Sequence, residues 1–232
     1  MPGDWVVYFF LAFLSGSKII LYYRLEYQRM QVNGKNHSGG SWNKLWGGDM
    51  NIIVLHGSPR KGGDSDMLAE TFLAETLLHR DCEVRHFYLN EMSIKPCQGC
   101  LECGRDEKHR CIQEDDMQQI YEAFGKAEIV VWATPMYWGY MTAQMKLALD
   151  RMEALVMADG WRDKIFAVFL TYHYHVASTV NFFERVCPFF ETELHIITCR
   201  TMIELTGQEI PVQDMPDELE EVRILAKKLA NN

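Results

Sequence analysis

From residue 50 onward, the sequence predicts an α/β fold with a parallel sheet covered by helices on both faces. Short apolar runs alternate with segments of helical period, as in residues 51–57 (NIIVLHG) followed by residues 64–80. The first run is continuously apolar and ends at a glycine, which is typical of a strand buried on both faces. The second segment repeats apolar residues at helical spacing. Strands that alternate with helices form a parallel sheet, so this pattern predicts the fold class.

The same patterns predict five strands and five helices in this part of the chain. Asp64 or Ser65 can cap the first helix, Pro135 is expected to break the third strand, and Pro216 begins the last helix. Ligands bind such sheets beyond the carboxyl ends of the strands, so the loops after the first, third and fourth strands are of most interest. The predicted strands are 51–57, 83–89, 128–135, 164–171 and the end of 191–200, and the predicted helices are 64–80, 115–127, 142–156, 178 to about 188, and 216–230.

Residues 1–49 are predicted to be a non-core extension and linker, and residues 50–232 the folded domain. Residues 5–14 are apolar, but Lys18 lies within the length that a membrane span would need. A signal peptide is disfavoured because no basic residue precedes the apolar run. Residues 31–49 are rich in Gly, Asn and Ser, as linkers are. The segment is interpreted as an artefact of the assigned start, with Met50 as the true initiator, or as a loose anchor.

The composition favours a cytoplasmic protein with a full core. Apolar residues make up 48% of the 232 residues, which excludes global disorder. The net charge of -9 repels phosphate backbones, so neither a nucleic-acid partner nor a membrane partner is expected. The seven cysteines are an odd number and four are crowded together, which makes a poor disulfide framework and favours a reducing compartment.

The loop after the first strand, HGSPRKGGDSD (56–66), has the composition of an anion site. Its glycines allow tight turns, Ser58 and Ser65 offer hydroxyl groups, and Arg60 offers a fork of donors. A helix begins directly afterwards, and free N–H groups at a helix N-terminus bind anions such as phosphate. The loop matches neither the GxxxxGK[ST] of a P-loop nor the GxGxxG dinucleotide fingerprint, and an ordinary turn is the alternative.

The loop after the third strand, TPMYWGYMTAQMK (134–146), brings one Trp and two Tyr to the ligand edge of the sheet. Solvent-facing loops seldom carry so many large rings, so a flat aromatic ligand could lie against them. A subunit interface favours the same residue types and is the alternative.

These two loops resemble those of the NAD(P)H-dependent FMN reductases, and more specifically the branch that includes the iron-sulfur flavoproteins. The stretches that carry the resemblance are GSPRKGGDSD (57–66) and TPMYWGYMTAQMKLALDR (134–151), within a similarity over roughly residues 50–200. The resemblance implies a flavodoxin-like, doubly wound, five-stranded parallel sheet in the order 2-1-3-4-5, with FMN at its carboxyl edge. The implied FMN contacts are Ser58, Arg60, Gly63 and Ser65 around the phosphate and Pro135, Met136, Tyr137, Trp138 and Gly139 against the isoalloxazine ring.

The chain departs from the family pattern in two places. The family commonly has Asn where this chain has Asp64, which is therefore expected to turn away from the phosphate and cap the helix. The loop TYHYHVAS (171–178) carries bulky side chains where the family often has glycine, which would change the shape of the pocket. Tyr172 or His173 can still contact the flavin edge. His173 and His175 lack a nearby third metal ligand and are interpreted as plain loop residues.

Residues 96–111, PCQGCLECGRDEKHRC, hold four cysteines in the pattern C-x2-C-x2-C-x7-C. Thiolates this close can bind a [4Fe–4S] cluster or a zinc ion, and reduced free thiols are the third alternative. The spacing resembles the compact motif of the iron-sulfur flavoproteins, which implies as ligands Cys97, Cys100, Cys103 and Cys111. The remaining cysteines, Cys82, Cys187 and Cys199, are expected to be buried and inert.

Together these features predict an FMN-dependent oxidoreductase. Electrons would pass from NAD(P)H through the flavin to a quinone, a nitro or azo compound, another flavin or another acceptor. The first alternative is an iron-sulfur flavoprotein that carries electrons from a ferredoxin-like donor, for which an acidic surface suits a basic partner. The second is a zinc-stabilised binding protein without flavin. No catalytic acid or base is assigned, and the resemblance implies a homodimer or homotetramer.

Overall fold

The computed structural model describes residues 50–232, and the predictions made for residues 1–49 lie outside this part of the chain. Five parallel strands form one sheet in the order β2-β1-β3-β5-β6, and the two-residue β4 pairs antiparallel with β3. The predicted fold class and parallel strand order are confirmed, with β4 as a sixth strand. The strands are β1 (Met50–His56), β2 (Cys82–Tyr88), β3 (Ile129–Tyr137), β4 (Tyr140–Met141), β5 (Ile165–Tyr172) and β6 (Glu193–Arg200).

Helices cover both faces of the sheet. Among residues 50–232, none of these helices combines the length and the apolar character that crossing a membrane requires. The helices are α1 (Asp64–Leu77), α2 (Glu102–Arg105), α3 (Met117–Lys126), α4 (Ala143–Asp150), α5 (Glu153–Met157), α6 (Ala177–Val186) and α7 (Pro216–Ala230), with short 3₁₀ turns at Leu89–Glu91, Pro188–Phe190 and Val212–Asp214.

The continuous apolar run of β1 supplies both cores because successive side chains point to opposite faces. Ile52 and Val54 pack in the cluster that includes Phe72 of α1 and residues of α7. Ile53 and Leu55 pack in the other cluster, which is formed with residues of β3, α3, α4 and α6. Burial on both faces explains why the strand is apolar without alternation.

Pro135 does not break β3, which continues to Tyr137. The pairing of β1 with β3 ends at Ala133, whose carbonyl accepts a hydrogen bond from the Gly57 N–H at 2.8 Å. Along a strand, the backbone N–H and C=O groups of successive residues point to alternate sides. The nitrogen of Pro135, which carries no hydrogen, therefore points to the same side as Ala133, where β1 has already ended. The missing donor therefore leaves no ladder hydrogen bond unmade.

The predicted helix 142–156 and the predicted cap of the first helix also change. The predicted helix 142–156 is two helices, α4 and α5, which are separated by a turn at residues 151–152. The first helix has Gly63 as its N-cap residue, and no side chain caps it, so capping by Asp64 or Ser65 was wrong. Thr142 instead caps α4, because its hydroxyl accepts a hydrogen bond from the Met145 N–H at 3.2 Å.

Candidate functional site

A cavity of about 340 Å³ lies at the carboxyl edge of the sheet, where β1, β3 and β5 end. The next two strands along the chain, β2 and β3, lie on opposite sides of β1. Parallel sheets bind ligands at the carboxyl edge where the strand order reverses in this way. The volume falls within the range of about 300–1,000 Å³ that is common for small-molecule sites. The cavity is lined by Ser58, Arg60, Gly63, Asp64, Ser65, Pro135, Met136, Tyr137, Thr171, Tyr172, His173, Thr201, Glu209, Ile210 and Pro211.

The first loop, which we define as residues 57–63, is fixed against β3 and α4. A Cβ atom at Gly57 would lie 2.8 Å from Thr134 Oγ1 and 3.0 Å from Met145 Cβ, so only glycine fits without displacement. The Thr142 hydroxyl donates a hydrogen bond to the Gly57 carbonyl at 2.7 Å. These contacts tie the two loops that were singled out in the sequence to one another.

The backbone of the first loop is also shaped by its own side chains. Ser58 is buried, and its hydroxyl accepts from the Arg60 N–H at 3.1 Å and lies 3.0 Å from the Arg60 carbonyl, to which it donates. The Gly63 N–H donates to that same carbonyl at 3.3 Å. The Arg60 side chain is exposed at the rim of the cavity. The loop thus carries a guanidinium group beside the N-terminus of α1.

Both carboxylates in the first turn of α1 are engaged by other groups. Asp64 accepts a hydrogen bond from the Val212 N–H at 2.9 Å, which ties α1 to the chain after β6. Asp66 accepts from the Gly62 N–H at 2.9 Å, and its other oxygen lies 2.8 Å from His56 Nδ1. Asp64 lines the cavity, and one of its oxygens is engaged by the Val212 N–H.

The loop after β3 forms a two-residue hairpin between β3 and β4. Trp138 and Gly139 are its central residues and have φ of 52° and 75°, and positive φ at both positions is the mark of a type I′ turn. Pro135, Met136 and Tyr137 line the first cavity. Trp138 and Gly139 instead line an adjoining cavity of about 620 Å³, together with Met136, Tyr137, His173, Tyr174 and His175.

The loop after β5 and the chain after β6 complete the walls. Tyr172 and His173 line the first cavity, where they were expected. Residues 201–211 form a wall that sequence reasoning missed. This segment is held by the bridge between Met202 and Glu209 and by the Ile210 N–H, which donates to the Thr201 carbonyl at 3.0 Å. These contacts are local, but the segment reaches the cavity because the Thr201 N–H donates to the Tyr172 carbonyl at 2.9 Å and the Val212 N–H donates to Asp64 at 2.9 Å. No pattern in the sequence signals either of these two long-range contacts.

The cysteine loop, which we define as residues 96–111, lies apart from this cavity and is held at both ends by Arg151. The Arg151 guanidinium is buried and donates to the Lys95 carbonyl at 2.8 Å and to Asp115 at 2.7 Å. It also lies 3.3 Å from Cys111 Sγ. Burial alone would lower the pKa of Arg151, but the hydrogen bond to Asp115, together with the interactions with Tyr121 and Cys111, raises it. Arg151 is therefore a permanent cation beside the loop.

The four thiols of the cysteine loop differ in exposure. Cys97 and Cys100 are exposed, whereas Cys103 and Cys111 are half-buried. Burial raises the pKa of Cys103, and the nearby charges of Glu153, Cys111 and Cys100 raise it further. Cys103, Cys111 and Cys100 thus lie close enough for their charges to interact.

The three other cysteines lie in the sheet and helices. Cys187 and Cys199 are buried, and burial is the first cause that raises the pKa of each thiol to about 12. Both fit the expectation of inert thiols. Cys82 is only half-buried, at the start of β2, because the edge strand is covered less completely.

Residues 50–203 match the family model described as NADPH-dependent FMN reductase. The chain belongs to this family. The match spans β1 to β6 and so includes the first loop, the cysteine loop and the β3–β4 hairpin. The resemblance noted in the two loops is therefore confirmed.

Curated relatives of this FMN reductase family member include iron-sulfur flavoproteins. One from Archaeoglobus fulgidus is 37% identical over 108 residues, which are 47% of this chain and 53% of that protein. A Bacillus subtilis protein named as an NAD(P)H-dependent FMN-containing oxidoreductase is 33% identical over 107 residues, which are 44% of this chain and 51% of that protein. The chain spans about half the length of the curated relatives it matches.

Solved structures of other flavin enzymes share the fold of this family member. An NAD(P)H:quinone oxidoreductase from Methanothermobacter marburgensis aligns with a TM-score of 0.57 and 16% identity, over 78% of this chain and 96% of that one. An FMN-dependent NADH-azoreductase from Bacillus anthracis aligns with a TM-score of 0.58 and 12% identity, over 78% and 98%. At these identities the likeness concerns the fold, which is flavodoxin-like as expected.

Proposed function

We propose that this chain is an FMN-dependent oxidoreductase that passes electrons from NAD(P)H through the flavin to a second acceptor. The observation that carries the proposal is the cavity of about 340 Å³ that both sequence-predicted loops line. Membership of the NADPH-dependent FMN reductase family supports it. The acceptor would be a small molecule, such as a quinone, a nitro or azo compound or another flavin, or else a redox protein.

The residues around the first loop fit a phosphate group. Ser58, Arg60, Gly63 and Ser65 line one side of the cavity, where free N–H groups of the first turn of α1 and a guanidinium can bind an anion. Asp64 also lines the cavity, and one of its oxygens is held by the Val212 N–H. The donors to a phosphate at this end would be the Arg60 guanidinium, the serine hydroxyls and the backbone N–H groups.

The opposite wall fits a flat ring. Pro135, Met136 and Tyr137 would pack against the isoalloxazine, with Trp138 and Gly139 at its open side, and Tyr172 and His173 at its edge. FMN itself supplies the hydride and electron chemistry when bound. The protein would hold and orient the ring, and the backbone N–H groups of residues 136–139 are the donors we propose for tuning it.

A second copy of the chain would close the open side of this site. Trp138 is fully exposed at the hairpin tip and Tyr174 is also exposed, and both line the adjoining cavity. Large exposed rings beside a cavity are typical of an interface. We propose a homodimer, or a homotetramer built from such dimers.

A second candidate function is that of an iron-sulfur flavoprotein electron carrier with a ferredoxin-like donor. The cysteine loop favours it, because its four thiols match the donor set of a [4Fe–4S] cluster and Arg151 offers a buried positive charge to Cys111. The ligands would be Cys97, Cys100, Cys103 and Cys111. Rapid mixing with NADPH separates the two functions, since a carrier of this kind would leave its flavin oxidised.

FMN titration of the purified protein tests the proposed cofactor site. Arg60→Gln should weaken FMN binding about 10-fold or more, because a hydrogen bond to a charged group contributes about 1.5–3 kcal/mol. Arg223→Gln removes the same charge from α7, where Arg223 pairs with Glu220 at 3.2 Å, and should leave binding unchanged. Equal FMN affinity in all three proteins would remove Arg60 from the phosphate site, and failure to take up FMN would remove the proposed function.

A further inference from the structure

A buried histidine behind the first loop has an arrangement that the flavin site does not explain. His56 is the last residue of β1 and is completely buried. Its Nδ1 lies 2.8 Å from Asp66, whose other oxygen is held by the Gly62 N–H. A carboxylate only accepts hydrogen bonds, so the proton of a neutral His56 lies on Nδ1 and the Nε2 lone pair faces outward.

Two further ligand atoms lie near Nε2 of His56. His86 Nδ1, on β2, lies 3.0 Å from His56 Nε2, and Glu70 Oε1, on α1, lies 3.8 Å from His86 Nδ1. The three ligand atoms all lie within 4.8 Å of one another. This group of His56, Glu70 and His86 contains no cysteine and lies outside the cavity described above.

We propose that His56, His86 and Glu70 bind a divalent transition-metal ion of the Zn²⁺ class. Zinc lies about 2.0–2.2 Å from His nitrogen and carboxylate oxygen, which places tetrahedral ligand atoms about 3.3 Å apart. The two histidine nitrogens already approach this separation, and the exposed Glu70 side chain can rotate to close the remaining distance. Three protein ligands leave a fourth position for water, as in open zinc sites.

Asp66 supports the proposal because it binds Nδ1 of His56, the ring nitrogen that a metal at Nε2 would not contact. A metal-bound histidine almost always donates its other N–H to a carboxylate or carbonyl, which fixes the ring and its tautomer. Asp66 does this to His56, and Tyr88 stacks on the same ring with centroids 4.3 Å apart. The buried ligand is thus oriented before any ion binds, while His86 and Glu70 are exposed and give an ion access.

The same atoms could instead form a simple hydrogen bond between two imidazoles. In that case the His86 Nδ1–H donates to His56 Nε2, and Glu70 only attracts the ring. This arrangement predicts no affinity for metal ions beyond that of other exposed histidines. His79 provides the comparison, because it also lies near an acid, with its Nε2 3.0 Å from Glu75 Oε1, but among residues 50–232 it belongs to no such group of three ligands.

Calorimetric titration of the chelator-treated, reduced protein with Zn²⁺ tests the site. His86→Gln and Glu70→Gln should each abolish one zinc site or lower its affinity by at least 10- to 100-fold. That is the loss seen when only a residue that hydrogen-bonds a metal ligand is removed. The matched control His79→Gln should bind zinc as the wild type does. The cysteine loop is the same in all four proteins, so zinc that it binds contributes equally to every isotherm and cancels when the isotherms are compared.

Superimposable zinc isotherms for the wild type, His86→Gln and Glu70→Gln would overturn the proposal and leave the histidine–histidine hydrogen bond. Glu70 is exposed, so Glu70→Gln keeps the test valid if His86→Gln does not fold. The test needs no flavin, and its failure would leave the proposed oxidoreductase function untouched.

Discussion

The first loop and the cysteine loop both present groups for a ligand, but they are held in different ways. The first loop has buried partners along its length, including Thr142 at Gly57 and Asp66 at Gly62. The cysteine loop is anchored at its ends by Arg151, and between them Leu101 and His109 adopt positive φ. Positive φ is unfavourable for such residues, so surrounding contacts must maintain it.

This difference indicates how each site is encoded. The partners of the first loop lie close in sequence or on the adjoining strand and helix, so its shape is fixed before a ligand binds. The cysteine loop is held at its ends by the distant Arg151 and by Gln113 and Asp115, and its exposed thiols lie beyond that support. Four kinds of change should separate the two regions.

The largest expected effect concerns thiol reactivity. Burial raises the pKa of Cys199 in β6 to about 12 and shields its thiol, whereas Cys97 and Cys100 are exposed. Because a buried thiol reacts only when the structure around it opens, Cys97 and Cys100 should react with iodoacetamide about 1,000-fold faster than Cys199, or more. Mass spectrometry of metal-free, reduced, folded protein gives the rates. Similar rates at these positions would show that the core around Cys199 opens readily.

The next largest effect is expected at the anchor of the cysteine loop. Arg151→Met leaves Asp115 unpaired, and the Asp115 side chain is only 3% exposed, so the free energy of unfolding should fall by about 3–5 kcal/mol. Arg223→Met breaks only a surface pair and should cost less than about 1 kcal/mol. Urea unfolding of both variants provides the measurement. Equal losses would contradict the anchoring role of Arg151.

A smaller loss of stability is expected at the start of the first loop. Gly57→Ala places a Cβ atom against Thr134 and Met145, and such overpacking costs about 1–3 kcal/mol and should displace the loop from the flavin site. Gly125→Ala, in α3, meets no atom within 4 Å and should stabilise the helix by up to about 1 kcal/mol. Thermal unfolding and FMN titration would measure both. A Gly57→Ala protein with unchanged melting temperature and FMN affinity would argue against close contact between the loops.

The smallest effect on stability is expected in the exposed part of the cysteine loop. In metal-free protein, changing Cys97 and Cys100 together to Ser should alter the free energy of unfolding by no more than about 0.5 kcal/mol, because both side chains are exposed. Any iron that anaerobically purified protein holds through these thiols, as the second candidate function requires, should be lost, while FMN uptake should be retained. Loss of FMN together with iron would show that the two regions are not independent.

The features that the sequence predicted are those with local signals. Burial and turn chemistry act over a few residues. They could therefore be predicted from the apolar run of β1 and from the glycines and hydroxyl groups of the first loop. Pro135 was misjudged because its effect depends on where β1 stops pairing, which only the sheet reveals. Asp64 does not cap α1 because Val212, far along the chain, donates to it.

The missed wall of the cavity and the role of Arg151 have the same explanation. Residues 201–211 reach the cavity through hydrogen bonds to distant residues, from Thr201 to Tyr172 and from the following Val212 to Asp64, and the partners of Arg151 are equally distant in sequence. Arg151 contacts residues 95 and 111–115, which precede it by many residues. The candidate ligands were therefore predictable from composition and resemblance, whereas the contacts that hold them were not.

The most direct measurement for the central claim is the absorbance spectrum of anaerobically purified protein before and after mixing with NADPH or NADH. The account predicts flavin bands that bleach on mixing, from FMN held between the first loop and the β3–β4 hairpin. A protein that remains without flavin after incubation with FMN would contradict it, as would bound flavin that neither nucleotide reduces.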